Sequence, residues 1–269
     1  MTQLLETHRH GDVTVLGDSA EVPGIGHLPV NAYVLHADQP VVVDTGLSTP
    51  DKDFVAELSR VIDPADVRWI WITHPDRDHT GGLWELLEAA PQAKLVTTFI
   101  GVGIMSTQWE VPMHRVYFVN PGDTLDIGDR VLQGHRPPLF DNPATVGFLD
   151  RSTGAFFSSD CFGAPLSSSD LATGGDAAAI TAEERRGGQL LWAAIDSPWV
   201  TYVDRAKYDP QVEAIRALDP SGIFSSHLPP AIGMNTLLLD ALSEAPDVPS
   251  FVGPDQAALE ELLATFEPV

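Results

Sequence analysis

The stretch Thr73-His74-Pro75-Asp76-Arg77-Asp78-His79-Thr80-Gly81-Gly82 decides how this sequence is read. It closes an apolar run that reads as a buried strand over residues 67–73. Four side chains able to bind a metal, His74, Asp76, Asp78 and His79, fall within six residues. In extended backbone, positions i and i+2 project to the same side, so His74 and Asp76 can face one ion together. The chain then bends toward a helix expected over residues 82–89, with Thr80 as its N-cap, and the bend can turn Asp78 and His79 to a second ion. Ions about 3.5–4 Å apart can share a bridging ligand.

Outward from this stretch, an apolar strand ending in a ligand-type residue recurs. His135 follows the strand expected over 130–134, Asp160 follows 155–159, and His227 lies just past 222–226. A strand end is a rigid support from which a ligand can enter a common cleft. Further strands are expected at 13–16, 32–36, 41–44, 94–98, 115–119 and 145–150, the third of them closing in the turn Asp44-Thr45-Gly46. Helices are expected within 51–62, 177–194, 208–218, 235–244 and 255–266. Strands interspersed with helices on this scale imply an α/β chain with two sheets covered by helices, read as one domain over residues 1–269. The Gly/Ser/Asp-rich residues 167–179 are expected to be an exposed loop, with a lid as the alternative.

Composition narrows the function classes. The formal charge of −23 repels phosphate backbones and anionic lipid, which argues against nucleic-acid and membrane partners. No apolar run approaches the roughly 20 residues of a membrane span, and no basic start followed by an apolar stretch opens the chain. A cytoplasmic protein is the expectation. The single cysteine, Cys161, excludes an internal disulfide, a cysteine-based zinc site and an iron–sulfur cluster, and is expected to pack in the core. His8, His10, His27, His36 and His114 lack ligand spacing. Trp192, Trp199 and Tyr202 are read either as an aromatic wall over the metal pocket or as a core or dimer contact, so a homodimer stays open. Gly101-Val102-Gly103 lacks the remainder of a nucleotide-binding loop.

The segment HPDRDH resembles the HxHxDH signature of the metallo-β-lactamase superfamily, with Asp76 at the second histidine position. VVVDTG resembles the Asp-Thr-Gly turn that precedes that signature. A carboxylate at position 76, with SSDCFGA around Asp160 and SSHLPP around His227, resembles the di-iron domain of flavodiiron proteins and free-standing oxygen-binding di-iron proteins, where that carboxylate is usually Glu.

The resemblance implies a four-layer αββα sandwich. It implies two metal ions per chain, one bound by His74, Asp76 and His135 and the other by Asp78, His79 and His227, with Asp160 bridging. Asp44 would orient a ligand through a hydrogen bond, and Asp78 doubles as the candidate catalytic residue. Carboxylates and imidazoles without thiolate favour iron, with zinc or manganese as alternatives. The function implied is binding or reduction of O2 or NO, with electrons from a separate donor because no flavodoxin-like domain follows in this sequence. A zinc-dependent hydrolase of an ester, lactone, thioester or phosphoester substrate is the alternative, and a non-catalytic gas sensor is the third reading.

Overall fold

A computed structural model describes residues 5–49 and 52–264. One sheet holds β1 (Glu6–His10), β2 (Val13–Val22), β3 (Gly26–Leu35), β4 (Val41–Val43), β5 (Trp69–Trp71), β6 (Lys94–Thr97) and β7 (Val116–Phe118), in that spatial order. The other holds β8 (Thr124–Asp126), β9 (Val131–His135), β10 (Gly147–Asp150), β11 (Ala155–Phe157), β12 (Gly222–Phe224) and β13 (Ala231–Ile232), also side by side in chain order. The helices are α1 (Phe54–Leu58), α2 (Leu83–Ala89), α3 (Phe99–Met105), α4 (Ser169–Ala172), α5 (Ala182–Asp196), α6 (Arg205–Ala217), α7 (Asn235–Glu244) and α8 (Gln256–Ala264).

Alternation along the strands builds the layers. Val41, Val43 and Trp71 of the first sheet join Phe148, Phe157 and Phe224 of the second in a cluster between the sheets. Val42 and Ile70 face the other way and pack with Phe54 and Leu58 of α1, Leu83 and Leu86 of α2, and Val102 of α3. Leu149, Phe156 and Ile223 cover the opposite outer face with Ala193 of α5, Val212 of α6 and Leu238 of α7. Helices therefore flank both sheets, which is the αββα sandwich. Phe148 and Phe157 are fully buried, and burial of such side chains contributes on the order of 1.5–3 kcal/mol each.

Strand direction positions the site. β4 through β7 pair in parallel, as do β11 and β12, so the C-terminal ends of β4 and β5 share one edge of their sheet and those of β11 and β12 share one edge of theirs. Backbone bonds join these ends across the sandwich: Asn31 N donates to Ser226 O at 2.8 Å and Val146 N to Thr73 O at 2.8 Å.

Several local expectations shift. The helix expected over 51–62 is only Phe54–Leu58, because the Ser59 hydroxyl turns back to the Val55 carbonyl and Pro64 starts a 3-10 turn; residue 51 lies outside the described residues. Residues 265 and 266 of the helix expected over 255–266 also lie outside them. α2 has no side-chain cap: the Thr80 hydroxyl donates instead to the Asp76 carbonyl at 2.9 Å. β1 and α3 had no counterpart in the sequence reading. Residues 167–179 contain α4 and a 3-10 turn and are pinned to neighbouring strands, with the His10 ring 2.6 Å from Gly175 O and the His8 ring 3.2 Å from Thr173 O. No helix among the described residues is long and apolar enough to cross a membrane.

Candidate metal centre

Three strands deliver a ligand-type residue at the same interval past their last paired residue. Trp71 ends β5 and His74 follows three positions on; Phe157 and Asp160, and Phe224 and His227, repeat the spacing on β11 and β12. Each gap holds hydroxyl residues, Thr73 after Ile72, Ser158-Ser159 and Ser225-Ser226, and they tie the ends together. Ser226 N donates to Ser159 O at 2.9 Å, and Ser159 Oγ donates to Thr73 Oγ1 at 3.0 Å. Asp44 and Ser159 sit at φ +54° and +55°, conformations that cost a non-glycine residue on the order of 1–3 kcal/mol and persist only under surrounding constraint. The hydrogen bonds supply that constraint.

Asp44 is the hub of the support. Its carboxylate accepts from Thr73 N at 2.8 Å, Thr73 Oγ1 at 2.9 Å and Ser226 Oγ at 3.1 Å, and lies 2.8 Å from Nδ1 of His79. His74 reaches the same hub by relay, its Nδ1 lying 3.0 Å from Ser159 Oγ, which donates to Thr73. His227 Nδ1 lies 2.6 Å from the Pro29 carbonyl, which can only accept. Each imidazole therefore has a bond for Nδ1–H and turns Nε2 inward, the arrangement in which outer hydrogen bonds fix a ligand's tautomer and aim. Gly163 allows the close packing behind His227, since a Cβ there would come 2.6 Å from the Trp192 ring and 2.8 Å from His227 Cβ.

The inward nitrogens meet carboxylates in two neighbouring groups. Asp160 divides its oxygens between them, with Oδ1 3.1 Å from His79 Nε2 and 3.3 Å from His227 Nε2, and Oδ2 3.4 Å from His74 Nε2. Asp78 Oδ2 lies 3.6 Å from His79 Nε2 and 3.4 Å from His227 Nε2. On the other side, His74 Nε2 stands 3.9 Å from Asp76 Oδ2 and 3.8 Å from Asp141 Oδ1. His74 Nε2, His79 Nε2 and Asp160 Oδ1 are buried with no hydrogen-bond partner. Leaving such atoms unpaired costs about 1–3 kcal/mol each, which a bound cation would offset. These nitrogen and oxygen donors suit iron, zinc or manganese.

Charge follows the same division. Burial works to raise the Asp160 carboxyl, but His74, His79 and His227 outweigh it and hold it well below the usual carboxylate range. Burial likewise opposes the charged forms of His79 and His227, yet Asp78 and Asp160 prevail, and His227 is pushed up to about 9. Asp78 is held below its ordinary value against burial by His79 and His227. Asp196, at the end of α5, is pushed up to about 8 by burial and by Asp160 and Asp141.

The structure thus brings together His74, Asp76, Asp78, His79, Asp160 and His227. It does not bring His135 to them. Among the described residues His135 joins none of these groups; its ring edge faces Phe156, and burial lowers its pKa. His135 is itself the last residue of β9, where the three delivered residues stand beyond their strands. The sequence reading missed Asp141 and Asp196, which lie on a loop and a helix end without ligand spacing. Of the three aromatic candidates, Trp192 packs edge-on against His227 at 4.9 Å and donates to Asp160 O at 3.2 Å. Trp199 holds Phe140 O at 3.0 Å, and Tyr202 is 84% exposed and forms no wall. Cys161 is buried, and burial pushes its thiol up.

The metallo-beta-lactamase superfamily is matched over residues 25–148. Over 134 residues the chain is 31% identical to the anaerobic nitric oxide reductase flavorubredoxin of Klebsiella pneumoniae, an alignment covering 49% of this chain and 28% of that protein. Its fold matches rubredoxin:oxygen oxidoreductase from Desulfovibrio gigas with a TM-score of 0.73 and 20% identity, covering 90% of this chain and 61% of that one. It also matches the flavodiiron protein from Giardia intestinalis with a TM-score of 0.75 and 16% identity, covering 91% and 60%. The chain thus spans less than a third of the flavorubredoxin and about three fifths of either solved chain.

Proposed function

We propose that this chain, which has the metallo-β-lactamase fold and resembles flavodiiron proteins, holds a pair of metal ions, iron by preference, and binds or reduces O2 or NO. The observation that carries the reading is the convergence of three buried, unpartnered donors, His74 Nε2, His79 Nε2 and Asp160 Oδ1, within a cluster of carboxylates. The names of the relatives, a nitric oxide reductase and an oxygen oxidoreductase, support both gases as substrates.

Bound iron would supply the redox chemistry at a diatomic gas. Everything else falls to the protein. Asp78, His79 and His227 would hold one ion and His74 and Asp76 the other, with the two oxygens of Asp160 divided between them. In the metal-free protein the charged His79 and His227 already hold Asp78 in the ionised form a cation needs. Asp76 is one methylene shorter than glutamate, and Asn142 steadies it by donating to its Oδ1 at 2.8 Å. Electrons come from a separate donor protein in this reading.

The test is optical. Protein loaded with Fe2+ without oxygen should change its absorption on exposure to O2 or NO. An iron form inert to both gases, together with a zinc form that hydrolyses esters or phosphoesters, overturns the redox reading in favour of a hydrolase.

A further inference from the structure

We propose that Asp141 is a metal ligand, completing with His74 and Asp76 the half of the centre for which the sequence reading offered His135. The proposal rests on the dinuclear reading above but makes its own claim about which side chain touches the ion.

Geometry argues for it. Two ligand atoms each about 2.1 Å from one ion can stand no more than about 4.2 Å apart. His74 Nε2 meets that limit with both Asp141 Oδ1, at 3.8 Å, and Asp76 Oδ2, at 3.9 Å. Both separations are too long for hydrogen bonds. His74 Nε2 is fully buried and has no partner, so it is an aimed, unsatisfied donor atom and not a member of a closed network. His135 Nε2 is also buried without a hydrogen-bond partner, but among the described residues it joins no group of side chains close enough to share an ion.

The backbone around Asp141 is also held in place. Trp199 Nε1 donates to the carbonyl of Phe140, the residue before it, and the two rings pack at 5.3 Å. Asn142, the residue after it, donates to Asp76 and accepts from Ala144 N at 3.0 Å. Arg136 lies over the Phe140 ring at 5.0 Å and donates to Pro143 O at 2.9 Å. A loop anchored on both sides of one carboxylate has the preorganisation a ligand position needs.

Charge supplies the remaining reason. Asp141, Asp160 and Asp196 place an oxygen each within 4.8 Å of one another. Like charges so close, partly withdrawn from water, are unfavourable unless a proton or a cation lies among them, and a cation bound there would take the proton's place. With Asp141 added to Asp76, Asp78 and Asp160, the carboxylates match the +4 of two divalent ions, and the harder donor set favours iron or manganese further.

The test is metal binding by Asp141→Ala, Asp141→Asn, Asp141→His and His135→Ala, measured anaerobically with Fe2+ and separately with Zn2+ against a chromophoric chelator. Wild-type protein and His135→Ala should retain about two ions per chain. Asp141→Ala and Asp141→Asn should retain about one, with the weaker ion losing about tenfold or more in affinity. Asp141→His restores a donor and should regain the second ion, with a shift toward zinc. The melting temperature of metal-free Asp141→Asn should equal or exceed that of metal-free wild type, because one repelling charge is gone.

Full binding by both Asp141→Ala and Asp141→Asn overturns the proposal, as does loss of the second ion from His135→Ala alone. A metal-free Asp141→Asn that melts well below wild type overturns it too, since the residue would then be structural. Wild-type protein that binds two ions yet is inert to O2 and NO overturns the redox reading and leaves Asp141 a ligand.

Discussion

The two halves of the proposed centre are built differently. On one side His79 and His227 are 1% exposed, and each is fixed through Nδ1, by the Asp44 carboxylate and the Pro29 carbonyl. On the other side only His74 is buried; the side chains of Asp76 and Asp141 are 44% and 28% exposed, and both residues stand on connecting segments. The first half has two imidazoles placed before any ion arrives; its carboxylate, Asp78, is 28% exposed and stands on the same connecting segment as Asp76. The second is a single fixed imidazole with carboxylates on connecting segments around it. With ions bound as proposed, such a division would put tighter retention on the side with two fixed imidazoles, the closed half, and easier ligand exchange on the side with one, the open half.

The sharpest way to break that comparison is to remove the residue both halves share. Asp160→Ala should strip metal from both, from about two ions per chain to less than one, and abolish the gain in melting temperature that metal gives the folded state. His74→Ala should cost only one ion. Equal, minor losses from both changes would make Asp160 an ordinary strand-end residue.

A smaller effect is expected from Asp44→Asn, which keeps the shape of the hub but weakens its hold on His79. Metal affinity of the closed half should fall about 10–100-fold, as it does when an outer partner of a ligand is altered. The open half should respond less, because His74 reaches Asp44 only through Ser159 and Thr73. Equal losses on both sides would show that the hub serves them alike.

Acidity distinguishes the halves further. In the metal-free protein burial favours neutral His227, but Asp160 and Asp78 dominate and raise it from 6.5 to about 9. An ion must displace that proton, so metal affinity should rise with pH and level off above about pH 9. Titrations at neutral pH in buffers of different ionisation enthalpy should show proton release. The raised value also means that His227 stabilises the metal-free fold fully below 6.5 and loses that contribution as pH rises through about 9. The melting temperature of metal-free protein should therefore decline over this window more than that of loaded protein, and parallel curves would refute the charge assignment.

The smallest effect should come from Asp76→His on the open half. It exchanges a carboxylate for an imidazole at the one position where the chain departs from the HxHxDH pattern. Zinc should gain relative to iron, with little change in the closed half. Unchanged selectivity in competition with both metals would mean that Asp76 does not touch the ion.

The closed half was largely legible in the sequence because its information is local. Asp78 and His79 are adjacent, and Asp160 and His227 each follow a short apolar run that folds as a strand. The spacing, three residues past the last paired position, is visible only once strand ends are fixed, and it separates Asp160 and His227 from His135, which is itself the last residue of β9. Asp141 was not legible for the opposite reason. It lies in a proline-rich loop with no periodicity, and its place beside His74 depends on the contacts its neighbours Phe140 and Asn142 make with Trp199 and Asp76, 59 and 66 residues away in sequence. The layers could be read from alternating apolar residues, whereas the polar β1, with exposed and half-exposed positions throughout, carries too little hydrophobic pattern to announce a strand.

The placement of two indoles turns the asymmetry into something that can be watched. Trp192 rests on His227 of the closed half, and Trp199 is hydrogen-bonded beside Asp141 of the open one. An iron ion seated by His227 would lie within ångströms of the Trp192 ring, close enough to quench its emission, as a zinc ion would not. Trp199 would register the settling of the loop that carries Asp141. With Trp192→Phe and Trp199→Phe separating the two signals, the order in which the halves fill can be followed in real time by fluorescence.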